Sequence, residues 1–134
     1  MSGEWKFILV DDDDFTNLVN DMILKDALGE KVVVESFEKP EEALEFIQKT
    51  YVENSDHTIL FLDINMPRIN GWGFLERYEK FSEAVKSRIN IYILSSSVDP
   101  RDVRRAEENK NVLGFLSKPL STETIISITG KEFS

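Results

Sequence analysis

Four apolar runs, each cut short by polar residues, set the pattern of the chain. Lys6-Phe7-Ile8-Leu9-Val10 breaks off into Asp11-Asp12-Asp13-Asp14, and Thr58-Ile59-Leu60-Phe61-Leu62 breaks off into Asp63-Ile64-Asn65-Met66-Pro67, with Asn70-Gly71-Trp72 just behind. Asn90-Ile91-Tyr92-Ile93-Leu94 ends in Ser95-Ser96-Ser97, and Val112-Leu113-Gly114-Phe115-Leu116 ends in Ser117-Lys118-Pro119. Short continuous apolar runs bounded by turn residues read as buried strands. Val32-Val33-Val34 predicts a further strand, and the polar Glu35 and Ser36 that follow place it at a sheet edge.

Between the strands the apolar spacing changes to that of helices. Phe15, Leu18, Val19, Met22, Ile23 and Ala27 predict an amphipathic helix with those residues on its buried face, capped by Asp13 or Asp14 and stopped by Gly29. Pro40, Glu41 and Glu42 open a second helix whose inward residues are Ala43, Leu44, Ile47 and Tyr51. Asn70 caps a third, with Trp72, Phe74, Leu75 and Tyr78 in the core, and Ser82 to Ser87 reads as a polar connection. Asp99-Pro100-Arg101-Asp102 starts a fourth, in which Val103 and Ala106 are nearly the only apolar residues. Its charged residues make a solvated face, and a helix with so little burial shifts at modest cost. The last begins near Ser121 or Thr122, buries Ile125, Ile126 and Ile128, and fades at Gly130. Strands alternating with helices, joined by right-handed crossovers, give a doubly wound five-stranded parallel sheet with helices on both faces. The pattern alone leaves the strand order open.

Composition narrows the range of functions. At 134 residues the chain is expected to form one domain, spanning 1–134, with 41% hydrophobic residues to fill a core. A net charge of -9 disfavours nucleic acid and anionic membrane as partners. The absence of cysteine excludes disulfides, thiol nucleophiles and cysteine-ligated zinc. With no apolar run of signal-peptide or membrane-span length, a soluble cytoplasmic protein is expected. His57, the single histidine, precedes its strand and so falls at the end away from the polar rim, as a surface loop residue.

Parallel strands would bring Asp11, Asp12, Asp63, Ser95 and Lys118 to one carboxyl edge, where ligands bind in open α/β sheets. Crowded carboxylates repel unless a cation compensates, and Asp11, Asp12 and Asp63 make a hard oxygen site of the kind magnesium takes. With charge screened, a carboxylate can attack phosphorus to give an acyl phosphate, while Lys118 offers a compact positive charge and Ser95 a hydroxyl. Each residue alone has an ordinary explanation as a strand stop or surface loop. Their shared position after successive strands makes coincidence a poor account.

The ordered set Val10-Asp11-Asp12, Leu62-Asp63-Ile64-Asn65-Met66-Pro67 with Gly71, Leu94-Ser95-Ser96 and Lys118-Pro119 resembles the receiver domain of two-component response regulators over almost the whole chain. The resemblance implies a flavodoxin-like fold with strand order 2-1-3-4-5 and a cis bond at Lys118-Pro119. It implies Asp63 as phosphoacceptor, Asp11, Asp12, Asp63 and the Asn65 backbone carbonyl as Mg2+ ligands, and Lys118 as the phosphate-binding lysine. Ser95 and Phe115 would be the switch pair, with Phe replacing the family's usual Tyr, and Asn65 and Ser97 lie where the family tunes phosphate lifetime. The implied function is a phosphoacceptor response regulator, charged by a histidine kinase or histidine phosphotransfer protein. Its signal would pass to an unidentified protein target through the surface of the fourth helix, fifth strand and fifth helix. Self-phosphorylation and slow self-dephosphorylation are expected rather than turnover of a separate substrate. No output domain is expected, and the chain would be a monomer or a weak phosphorylation-dependent dimer. Two alternatives stay open: a receiver-like interaction scaffold that is never phosphorylated, and an aspartyl-phosphate phosphatase of the haloacid dehalogenase type. The latter usually has a second acid where this chain has Asn65.

Overall fold

The computed structural model describes residues 5–29, 32–50, 58–66, 70–96 and 98–133, with residues 131–133 described by their backbone alone. In chain order the elements are β1 (Lys6–Val10), α1 (Asp14–Leu28), β2 (Val33–Phe37), α2 (Pro40–Thr50), β3 (Thr58–Leu62) and α3 (Gly71–Tyr78). After them come α4 (Glu83–Lys86), β4 (Ile89–Ser95), α5 (Pro100–Glu107), β5 (Val112–Ser117) and α6 (Thr122–Phe133). The strands form one parallel sheet in the order β2-β1-β3-β4-β5. Val10 pairs with Leu62 and Leu62 with Ile93, so the strands end together along a single edge.

Side chains alternate across a strand, and the sheet therefore feeds two cores. Ile8, Val10, Leu60, Leu62, Ile91 and Ile93 pack with Ala43, Ile47, Phe74, Leu75, Tyr78 and Ala106 from α2, α3 and α5. Phe7, Leu9, Ile59 and Phe61 pack on the other side with Leu24 of α1 and Ile125 and Ile128 of α6. β3 is buried throughout, whereas β2 at the sheet edge exposes Val33, Glu35 and Ser36. Among the described residues no helix is long and apolar enough to cross a membrane.

The expected caps are in place. Asp13 accepts from the Phe15 N–H at 3.0 Å, Asn70 from Gly73 at 3.0 Å and Asp99 from Arg101 at 2.9 Å. Gly29 ends α1 at φ +97°, a conformation that favours glycine. The Lys118-Pro119 bond is cis.

Four expectations are corrected. Of the residues expected on the inner face of α1, Ile23 and Ala27 pack partly buried against the core, but Phe15, Leu18 and Met22 are exposed at 67%, 55% and 61%, and the fully buried residues are Asn17, Asn20 and Leu24. The helix turns its polar Asn17 inward because the Asn17 amide donates to the carbonyl of Asp11 at 3.0 Å, which swings the apolar row outward. Ile126 of α6 is also exposed, since only Ile125 and Ile128 face the sheet. α6 runs through Gly130 to Phe133, as one glycine weakens a helix without having to end it. The connection from Ser82 to Ser87 holds the one-turn α4, capped by Ser82 and anchored by buried Val85. Tyr51, His57, Pro67 and Ser97 lie outside the described residues.

Candidate functional site

Three residues of the polar rim sit one step beyond the strands, and each is fixed by one more ladder-like backbone bond. The Asp11 N–H donates to Phe37 at 3.1 Å, the Asp63 N–H to Val10 at 2.9 Å and the Lys118 N–H to Ser95 at 2.8 Å. Their side chains therefore leave the sheet from rigid backbone at a common edge. Apolar β1 and β3 carry Asp11 and Asp63 to that edge and bury them, at 4% and 5% exposure.

The charged groups converge. Lys118 Nζ donates to Asp11 Oδ2 at 2.6 Å and lies 3.7 Å from Asp63 Oδ2, an ion pair too long for a hydrogen bond. Asp63 Oδ1 accepts from the Asn65 N–H at 3.0 Å, and Asp11 Oδ1 from the Asp13 N–H at 3.0 Å. Burial, aided by the charges of Asp11 and Asp12, raises the Asp63 carboxyl above the ordinary aspartate range against the opposing pull of the Asn65 N–H and Lys118. Burial works against charge on Lys118, but its bond to Asp11 and the fields of Asp11 and Asp63 outweigh it and raise the lysine.

The donor set fits a divalent cation. One carboxylate oxygen from each of Asp11, Asp12 and Asp63 lies within 4.8 Å of the others, and Asp12 is exposed, which gives access from solvent. All three are hard oxygen donors, and the acidic excess already draws in the Lys118 ammonium. Ser95 is fully buried at the end of β4, and its Oγ accepts from the Asn65 amide at 3.4 Å, which ties the hydroxyl to the loop after β3. Asp11, Asp12, Asp63, Asn65, Ser95 and Lys118 thus meet in one place. Phe115 stands apart, half-buried against the core on the α2, α3 and α5 side, beside Val103 and Ala106 of α5.

Two features escaped the sequence. Asn17 anchors the carbonyl of Asp11 and lies 3.5 Å from that of Phe37, bracing the acidic turn; its signal was the spacing Asn17, Asn20, Leu24, which is as helical as the apolar one. The exposed row Phe15, Leu18 and Met22 climbs α1 directly from the acidic turn.

A sequence model of the response regulator receiver domain matches residues 7–129. The chain belongs to the response regulator receiver family. This receiver is 30% identical to a two-component response regulator from Cytophaga hutchinsonii, with 96% of each chain covered and a TM-score of 0.86. It is 29% identical to a receiver protein from Dyadobacter fermentans, covering 96% of this chain and 98% of the other at a TM-score of 0.87. The Vibrio cholerae chemotaxis protein CheY4, at 24% identity and a TM-score of 0.72 over 96% of this chain and 98% of that one, shares the fold. No curated protein sequence matches. As a receiver the chain is a two-component signalling domain with a flavodoxin-like sheet, and its acidic pocket is one that can hold a metal ion. Receiver domains work with histidine kinases or phosphotransfer proteins and with downstream targets.

Proposed function

We propose that this receiver is a phosphoacceptor whose reactive group is the Asp63 carboxylate. The observation that carries the reading is the convergence of Asp11, Asp12 and Lys118 on Asp63. Asp11, Asp12 and Asp63, with the backbone carbonyl of Asn65, would hold Mg2+, which supplies positive charge that screens incoming phosphoryl oxygens from the carboxylates. An Asp63 oxygen attacks phosphorus, the new P–O bond forms as the P–N bond to the donor imidazole breaks, and the imidazole leaves with the electron pair. Lys118 offers its ammonium to the phosphoryl oxygens and can do so by turning from Asp11, since it lies between the two carboxylates. Ser95 offers its hydroxyl, and Phe115 relays the change to the surface of α5, β5 and α6. The domain then signals by protein contact rather than by turnover of a separate substrate, and it would do so in the cytoplasm.

The donor would dock on the exposed row of α1. Phe15, Leu18 and Met22 form an apolar strip that starts at the acidic turn, so a partner seated there brings a phosphohistidine to the site. Leu18→Asp is expected to slow transfer from a phosphorylated histidine phosphotransfer protein at least about tenfold, in line with loss of an interface anchor, while leaving the rate with acetyl phosphate unchanged. Equal rates with the protein donor would remove α1 from the docking surface.

Acetyl phosphate with magnesium tests the central claim. Intact mass should show one labile phosphoryl adduct that needs magnesium and is absent in Asp63→Asn. An adduct that survives that substitution would refute the assignment, and the absence of both adduct and magnesium binding would leave a scaffold. Continuous release of phosphate from many phosphoesters would instead indicate a phosphatase.

A further inference from the structure

α5 is the least anchored of the long helices, with Ala106 its one fully buried residue. Two sets of contacts nevertheless tie its C-terminal half to α3. The guanidinium carbon of Arg105 lies 4.4 Å from the centroid of the Trp72 ring. Just past the helix, Lys110 Nζ lies 3.2 Å from Glu79 Oε2, and the Asn111 amide donates to Glu79 Oε1. Glu79 caps the far end of α3, whereas Trp72 is the second residue at its near end.

Trp72 is tied closely to the acidic site. Gly71 donates to the Ile64 carbonyl at 3.2 Å, and a Cβ on Gly71 would stand 2.6 Å from Ile64 Cα and 2.9 Å from the Asp63 carbonyl oxygen. The first turn of α3 therefore rests directly on the backbone that carries Asp63, and any shift of that backbone moves the indole. The ring is half-buried against the core shared with Phe115. Cation–π attraction needs the cation over the ring face, so a small displacement of the indole is enough to lose it.

We propose that Arg105 and Trp72 form a releasable clasp, which holds α5 against α3 at rest and opens when the Asp63 backbone shifts. The Glu79 contacts remain as the pivot. This route runs beside the Ser95 and Phe115 path and rests on the phosphoacceptor reading of Asp63. Arg105 acts as a positioning residue, remote from the reacting atoms.

Hydrogen exchange of the α5 amides in the whole chain tests the clasp, with intact mass measured on the same samples. Without donor, Arg105→Gln should speed α5 exchange about two- to fivefold, the range set by an exposed cation–π pair. Arg105→Lys, which keeps the charge without the planar guanidinium, should give a smaller increase. Acetyl phosphate with magnesium should speed α5 exchange in the wild type, and should add less than half of that increment in Arg105→Gln, where the clasp is already open. A full increment in Arg105→Gln would reduce the contact to ordinary packing and overturn the proposal, as would unchanged exchange in that variant at rest. An adduct on Asp63 that leaves wild-type α5 unaltered overturns the clasp alone. A wild type that forms no adduct defeats the Asp63 reading itself, and the relay with it.

Discussion

Gly71→Ala is expected to lower stability by about 3 kcal/mol and the melting temperature by about 10 °C. The new Cβ would stand 2.6 Å from both Cα and Cγ2 of Ile64 and 2.9 Å from the carbonyl oxygen of Asp63. Two of these three atoms are backbone, so no side-chain rotation relieves the overlap. Either α3 lifts away from β3, exposing Phe74 and Leu75, or the strand end moves and takes Asp63 with it. Both outcomes cost packing, and the second also separates the carboxylates. Gly130→Ala is the matched control: it lies within α6, where a Cβ meets nothing within 4 Å. There the ordinary helical preference for alanine applies, and stability should rise by about 0.5–1 kcal/mol. Urea unfolding of both variants checks the pair, and a neutral Gly71→Ala would mean that α3 is not seated directly on the Asp63 backbone.

That contact also shows what the sequence conveys and what it leaves hidden. Asn70-Gly71 reads as a turn and helix start from local chemistry alone, and Asn70 caps α3. That Gly71 is required by a close approach to Ile64 depends on two segments meeting in space, which no local pattern records. The strands were the most legible part, because β3 and its neighbours are buried on both faces and their apolar runs are continuous. The site was legible for a related reason: strand ends are easy to place, and parallel pairing brings them to one edge.

The N-terminal half of α1 departs from its apolar pattern, whereas Ile23 and Ala27 further along pack against the core as the pattern predicts. Phe15, Leu18 and Met22 outweigh Asn17, Asn20 and Leu24 on any hydrophobicity scale, yet the polar stripe is the buried one. The Asn17 Nδ2 donates to the Asp11 carbonyl at 3.0 Å and lies 3.5 Å from that of Phe37, which offsets part of the cost of burying the amide, while its buried Oδ1 has no hydrogen-bond partner among the described residues. The exposed apolar residues beside the acidic rim are the basis of the docking role proposed for α1. Arg105 looked like one more solvated charge among several on α5, and only the fold places Trp72 beneath it.

Lys118→Ala is expected to destabilise the metal-free domain by about 2–3 kcal/mol at neutral pH, because it strips two buried carboxylates of their shared cation. In the wild type the ammonium sits 2.6 Å from Asp11 and 3.7 Å from Asp63, with both acids nearly fully buried. The pH dependence follows from the shifts. The Lys118 pKa is raised in the folded state, so its stabilising contribution is complete below the unfolded lysine value of about 10.4 and fades as pH climbs through the folded value. The difference between wild type and variant should therefore hold steady from neutral pH to about 10 and shrink above it. Asp63 works in the opposite sense. Its raised pKa means that ionising it in the folded protein costs stability, and that cost disappears as pH falls through its folded value towards the unfolded one near 3.9. Without Lys118 the carboxyl holds its proton still more tightly, so acidification should favour the variant over the wild type and narrow the difference from the low side as well. Urea unfolding from pH 4 to about 11 would trace a plateau bounded by two declines. A difference that stays flat across the whole range would show that the ammonium does not hold the acidic cluster together.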